Sequence, residues 1–185
     1  AFENFYQLES IIFPDSLLSI GNSVFKNCVK LRSVVFPSKF EWVGCDAFYN
    51  CKNLQLADFG KADKVANIWS ETFGKCSNLK KVNLPENLKN IDEFAFEECI
   101  RLETLKIPEG VERIGSWAFS KCESLKTIKL PNTLLCIEQG TFMDSGLITV
   151  DFSENLERIG ADAFINCDRL KSINFPETLQ TIESL

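Results

Sequence analysis

The chain has 185 residues, of which 45% are hydrophobic and 25% charged, the balance of a folded domain rather than a disordered tail. No apolar run approaches the ~20 residues that cross a bilayer, and 20 basic against 26 acidic residues give a net charge of −6, the wrong sign for a protein that neutralises phosphates, so neither a membrane span nor a nucleic-acid partner is expected. There is no histidine, which removes the commonest general base and the commonest metal ligand; neither catalysis nor a cofactor nor a metal is expected.

In chain order the sequence is one motif written repeatedly. Phe2, Phe25, Phe48, Phe73, Phe96, Phe119, Phe142 and Phe164 are spaced 23, 23, 25, 23, 23, 23 and 22 residues apart. Six of them carry a cysteine three residues on: Cys28, Cys51, Cys76, Cys99, Cys122 and Cys167, with Phe5 and Ser145 standing there in the other two copies. Self-similarity at such a period marks a solenoid. Each anchor is followed by L-x-x-φ-x-φ-P, where φ is apolar, as in Leu79 to Pro85, Leu102 to Pro108 and Leu125 to Pro131. All six prolines hold this one frame position, and Gly60 and Ser153 replace them in the remaining copies.

Apolar residues two apart before the proline predict a strand, which proline ends because it cannot donate to a ladder. After it comes L-x-x-I, as in Leu88 with Ile91 and Leu134 with Ile137, predicting a second, shorter extended segment. The G-x-x-A-F-x-x-C piece has room for one or two helical turns, and glycine after the Ile in four copies predicts a left-handed backbone there. Two extra residues between Gly60 and Ile68 predict a bulge, and one missing residue between Ser145 and Leu147 a tightened turn. A single repeat cannot bury enough apolar surface to offset the entropy of ordering itself, so the copies must stack.

The string L-x-x-I-x-I/L-P-x-x-L-x-x-I-G-x-x-A-F-x-x-C resembles the BspA-type leucine-rich repeat, a 23-residue subclass, most closely at Leu102 to Cys122. The resemblance implies an α/β repeat solenoid: a curved right-handed leucine-rich-repeat superhelix of about eight coils, with a parallel concave sheet and short helical or extended turns on the outer side. It also implies a non-enzymatic binding role in adhesion or protein binding on secreted or cell-surface proteins. The eight cysteines are expected to be free thiols, because a column of parallel side chains is poorly set for a disulfide torsion, and Cys45 and Cys136 lie four repeats apart, about 20 Å along the stack.

Candidate ligand-binding residues lie on two faces. Outward positions of the first strand form one column of Ser10, Ser33, Leu56, Lys81, Thr104, Thr127, Thr149 and Ser172, and another of Ile12, Val35, Asp58, Asn83, Lys106, Lys129, Asp151 and Asn174. Lys81, Thr104, Lys106, Thr127, Lys129 and Thr149 would make an anion-favouring site, with Lys80 and Lys126 beside them and Glu103 the carboxylate in their midst. Hydroxyls also suit a strand surface and lysines keep a sheet soluble, which accounts for the same residues without a ligand. On the turn side, Phe94 and Trp117 hold one frame position in adjacent repeats; they are either an interaction surface or an extension of the core. The expected protein is therefore one domain over 1–185, a segment of a longer array, binding a protein or glycan, with end-to-end self-association a risk at its apolar ends. The rival functions are a structural spacer without a ligand and the recognition arm of a larger enzyme.

Overall fold

The computed structural model describes residues 1–184, so Leu185, the last residue of the expected domain, lies outside the described residues. The chain is a β-solenoid of about seven turns. Its strands are short: β1 (Ser19–Ile20), β2 (Ser33–Val35), β3 (Trp42–Val43), β4 (Leu56–Asp58), β5 (Asn67–Ile68), β6 (Lys81–Asn83), β7 (Asn90–Ile91), β8 (Arg113–Ile114), β9 (Thr127–Lys129), β10 (Cys136–Ile137), β11 (Thr149–Asp151), β12 (Arg158–Ile159) and β13 (Thr181–Ile182). Strands of the L-x-x-φ-x-φ segment pair in parallel as β2-β4-β6 and β9-β11, and those of L-x-x-I as β1-β3, β5-β7-β8 and β10-β12-β13. The register keeps the frame, with Leu56 beside Lys81 and Ile68 beside Ile91. Both predicted extended segments are thus present.

The turn side departs from expectation. Among the described residues no helix forms. The physical reason is a left-handed residue two positions before and two positions after each Phe anchor from Phe25 onward, such as Phe94 (φ 56) and Glu98 (φ 55) around Phe96. A left-handed residue every fourth position breaks a helix. It turns alternate amides toward the next repeat instead: Phe94 N–H donates to Ser116 O (3.1 Å), Phe96 N–H to Ala118 O (2.9 Å) and Glu98 N–H to Ser120 O (2.9 Å). The same three-bond ladder joins every neighbouring pair from Ser23–Asn27 onward.

Glycine after the Ile is not the left-handed residue either. A Cβ on Gly115 would lie 2.6 Å from Glu93 N, and one on Gly44 2.5 Å from Asn22 N, so glycine stands there to let the preceding repeat come close. Where the frame proline is missing, side chains hold the turn: Gly60 N–H donates to Asp58 Oδ1 (2.9 Å) and Asn155 N–H to Ser153 Oγ (3.1 Å). The insertion before Ile68 coincides with the break between the β1-β3 and β5-β7-β8 sheets. The deletion coincides with Gly146, whose Cβ would lie 1.9 Å from Glu123 O.

The core is a spine of phenylalanine rings. Phe2, Phe25, Phe48, Phe73, Phe96, Phe119, Phe142 and Phe164 stack in one column with centroids 5.4–5.7 Å apart and planes within 16°. Leu31, Leu54, Leu79, Leu102 and Leu125 are buried alongside. Each frame cysteine ties one repeat to another, its thiol donating to the carbonyl of the preceding Phe anchor: Cys51 to Phe25 O (3.2 Å), Cys76 to Phe48 O (3.1 Å) and Cys99 to Phe73 O (3.3 Å).

Candidate functional site

The first-strand face carries most of the expected site. Lys81 opens β6, Thr127 and Lys129 flank buried Ile128 in β9, and Thr149 opens β11; all four side chains are exposed because alternate residues of a strand point to opposite faces. Thr104 and Lys106 are also exposed, on either side of buried Leu105, but residues 104–106 form no strand. The sheet is therefore interrupted at the centre of the expected site, between β6 and β9.

The electrostatics are more balanced than the lysine count implies. Lys106 Nζ lies 3.5 Å from Glu86 Oε1 and Lys129 Nζ 3.4 Å from Glu109 Oε1. Lys129 is also beside Asp151 in the β9-β11 register. Among the described residues no carboxylate lies within ion-pair distance of Lys81. Each pairing glutamate follows a frame proline (Pro85–Glu86, Pro108–Glu109), so the residue after the proline reaches the strand one repeat on, 20 residues later. Glu103 is thus not the carboxylate that answers these lysines. The P-E dipeptides were the signal, readable only once the offset between neighbouring coils was known. Both pairs are open to water, with side-chain exposures of 83% and 72% for Lys106 and Glu86, and hold little energy, about 0–1 kcal/mol each.

Phe94 and Trp117 lie on the turn side, away from the lysines. Their rings are half-buried and stack at 5.1 Å with planes 4° apart. Trp117 in turn covers Gly140, where a Cβ would lie 2.3 Å from the indole Nε1. Gly140 is the glycine of this column and has φ +60. The ring faces are thus turned toward neighbours along the solenoid axis. The rest of the turn side is polar and laddered: Asn50 donates to Asn27 (2.7 Å), Asn27 to Asn4 (2.8 Å), Lys121 to Glu98 (3.0 Å) and Asn166 to Asp144 (2.7 Å).

The thiols are chemically quiet. Burial pushes Cys76 up to about 12 and Cys51, Cys99 and Cys122 upward as well. Cys136 is half-buried and is pushed up to about 11, first by desolvation and then by Glu138.

The chain belongs to the BspA type leucine-rich-repeat family, whose repeat region it matches in six copies over residues 1–113 and 89–185. Among solved structures it is similar to a leucine-rich-repeat protein of T. pallidum (TpLRR), at 27% identity and a TM-score of 0.81, covering 88% of this chain and 78% of that one. It is also similar to a leucine-rich-repeat protein from Bacteroides ovatus, at 25% identity and a TM-score of 0.60, covering 98% of this chain and 64% of that one. Among curated proteins no sequence matches significantly. No helix of the described residues is long and apolar enough to cross a membrane.

Proposed function

We propose that this chain is a non-enzymatic binding scaffold for a protein or glycan partner at a cell surface, recognising it through the first-strand face around Lys81, Thr104, Lys106, Thr127, Lys129 and Thr149. The observation that carries this reading is that these side chains stand exposed on a face the solenoid does not need for stacking, since the turn-side ladder and phenylalanine spine run on where the sheet breaks between β6 and β9. For secretion or surface attachment the support is family membership alone. The reading includes a right-handed superhelix with this face concave, the sense that parallel crossovers take in about 98% of cases.

The test is binding of a sulfated glycan over a range of salt, with the wild type and the Lys81→Glu, Lys106→Glu, Lys129→Glu triple variant. Binding that weakens with salt and vanishes in the folded triple variant is expected. Binding that survives the triple change overturns the site. One observation favours the rival spacer function: two of the three lysines already have carboxylates within ion-pair distance. A spacer would bind none of the ligands.

A further inference from the structure

The amino-terminal end of the same face has a different chemistry. Its outward column reads Ile12, Val35, Asp58, Asn83, Lys106, Lys129, Asp151, Asn174, and the two aliphatic members are adjacent. Ile12 is 95% and Val35 56% exposed. They stand on the lining of a groove of about 590 Å3 whose polar rim includes Asp15, Lys39 and Lys61. Lys26, Lys64, Lys89, Lys106, Lys121 and Lys129 each lie within ion-pair distance of a carboxylate. Among the described residues no carboxylate lies within ion-pair distance of Lys39 or Lys61, as of Lys81, and both are exposed. At Lys61 the reason is visible in the frame: it takes the position after the missing proline, where neighbouring repeats carry the Glu86 and Glu109 that neutralise the central lysines.

Resting on the scaffold function proposed above, we infer that this groove binds an extended acidic peptide segment of a partner protein, its aliphatic side chains on Ile12 and Val35 and its carboxylates on Lys39 and Lys61. Charge complementarity selects the occupant. Two ammonium groups without partners face a groove in a chain whose net charge is −6, so carboxylates are held here and repelled from most of the surface. The aliphatic lining selects a peptide over a glycan, because branched alkyl groups gain from burying alkyl side chains and offer no hydrogen bond to a sugar hydroxyl. Asp15 on the rim disfavours a second anion near it, which sets the spacing of the carboxylates.

The experiment is fluorescence anisotropy with a labelled peptide of alternating Leu and Asp, beside a peptide of equal charge in which Ser replaces Leu. Saturable binding of the Leu peptide, weakening with salt, is expected. Affinity should fall at least about tenfold in Lys39→Glu/Lys61→Glu and several-fold in Ile12→Ser/Val35→Ser. The Ser peptide should bind at least several-fold more weakly than the Leu peptide. The triple variant at Lys81, Lys106 and Lys129 should stay within about twofold of wild type. All these side chains face solvent, and circular dichroism verifies that each variant is folded. No saturation by about 1 mM peptide overturns the inference, as does equal binding of the Ser peptide, or a sulfated glycan that binds here without regard to Ile12 and Val35. Peptide binding lost in the triple variant but kept in both groove variants sinks the groove while leaving the central face standing; the central face stands or falls separately, on sulfated-glycan binding to the triple variant.

Discussion

The turn side and the first-strand face of this solenoid are built from the same eight copies of the same motif, yet one is continuous and the other interrupted. On the turn side the Phe rings keep 5.4–5.7 Å spacing from Phe2 to Phe164, and from Ser23–Asn27 onward three backbone bonds join each repeat to the next. On the first-strand face the pairing stops after β6 and resumes at β9. Cohesion is thus concentrated in the inward Phe column and the backbone ladder beside it, and the outward residues of the first-strand face vary where the pairing is interrupted. A surface that need not hold the stack together is free to change its outward residues, which is the physical condition for a binding face.

The largest test of this division is to strike each side. Phe96→Ala removes a fully buried ring from the middle of the spine and should cost about 3–5 kcal/mol. Thr127→Ala on the exposed face should cost about 0.5 kcal/mol or less. Urea unfolding followed by circular dichroism measures both. Comparable losses would show that the strand face carries as much of the stack as the spine.

Glycines at one frame position sharpen the same comparison. Gly115→Ala places a methyl 2.6 Å from the backbone of the preceding repeat and should cost about 1–3 kcal/mol. Gly21→Ala meets only a Val24 methyl at 3.7 Å and should change stability by about 0.5 kcal/mol or less. If the two substitutions cost the same, close stacking is not what these glycines serve.

The cysteine column gives a pH test of the cohesive side. Burial raises the frame thiols in the native state, with Cys76 at about 12, while an unfolded thiol stays near 8.5. Above pH ~8.5 the unfolded chain therefore releases protons that the native chain retains, so stability should be full below that pH and fall as pH rises toward 12. Chemical denaturation at neutral and alkaline pH measures the fall, and flat stability would mean that these thiols are open to water. A thiol-specific reagent should titrate close to eight groups in denatured, unreduced protein. In the native state the half-buried Cys45 and Cys136 should react before the buried frame thiols, Cys136 slowly because it holds its proton to about 11.

The period, both extended segments and the inward Phe, Leu and Cys columns were legible in the sequence because burial repeats with the frame and leaves the same residue type at the same position. The turn conformation was not. Its left-handed position before the anchor is filled by Ser23, Asp46, Glu71, Phe94, Trp117, Gly140 and Asp162, so no residue type announces it; the one after the anchor carries Asn or Asp at Asn4, Asn27, Asn50, Asp144 and Asn166, residues that tolerate positive φ, but Lys75, Glu98 and Lys121 blur that signal. Inter-repeat amide bonds enforce the backbone and override local preference. Glycine after the Ile suggested left-handed backbone, whereas contact with the preceding coil is what it permits. The central lysines were legible as a cluster, but Glu86 and Glu109 were not, since a chain-order list hides which residues meet across one coil.

Those two glutamates allow the most delicate separation of cohesion from recognition. Glu86→Gln and Glu109→Gln keep side-chain shape while removing the charges 3.5 and 3.4 Å from Lys106 and Lys129. Because both pairs are exposed, unfolding stability should change by about 0.5 kcal/mol or less. Freed of their carboxylates, the two ammonium groups present a stronger positive potential on the face, so a sulfated glycan should bind the double variant several-fold more tightly, with a steeper loss of affinity as salt rises. The two outcomes move independently. Higher affinity at unchanged stability places recognition on a face that does not hold the stack. Unchanged affinity would mean that Lys106 and Lys129 do not meet the anion, and a stability loss well beyond that of an exposed pair would assign Glu86 and Glu109 to holding adjacent coils together.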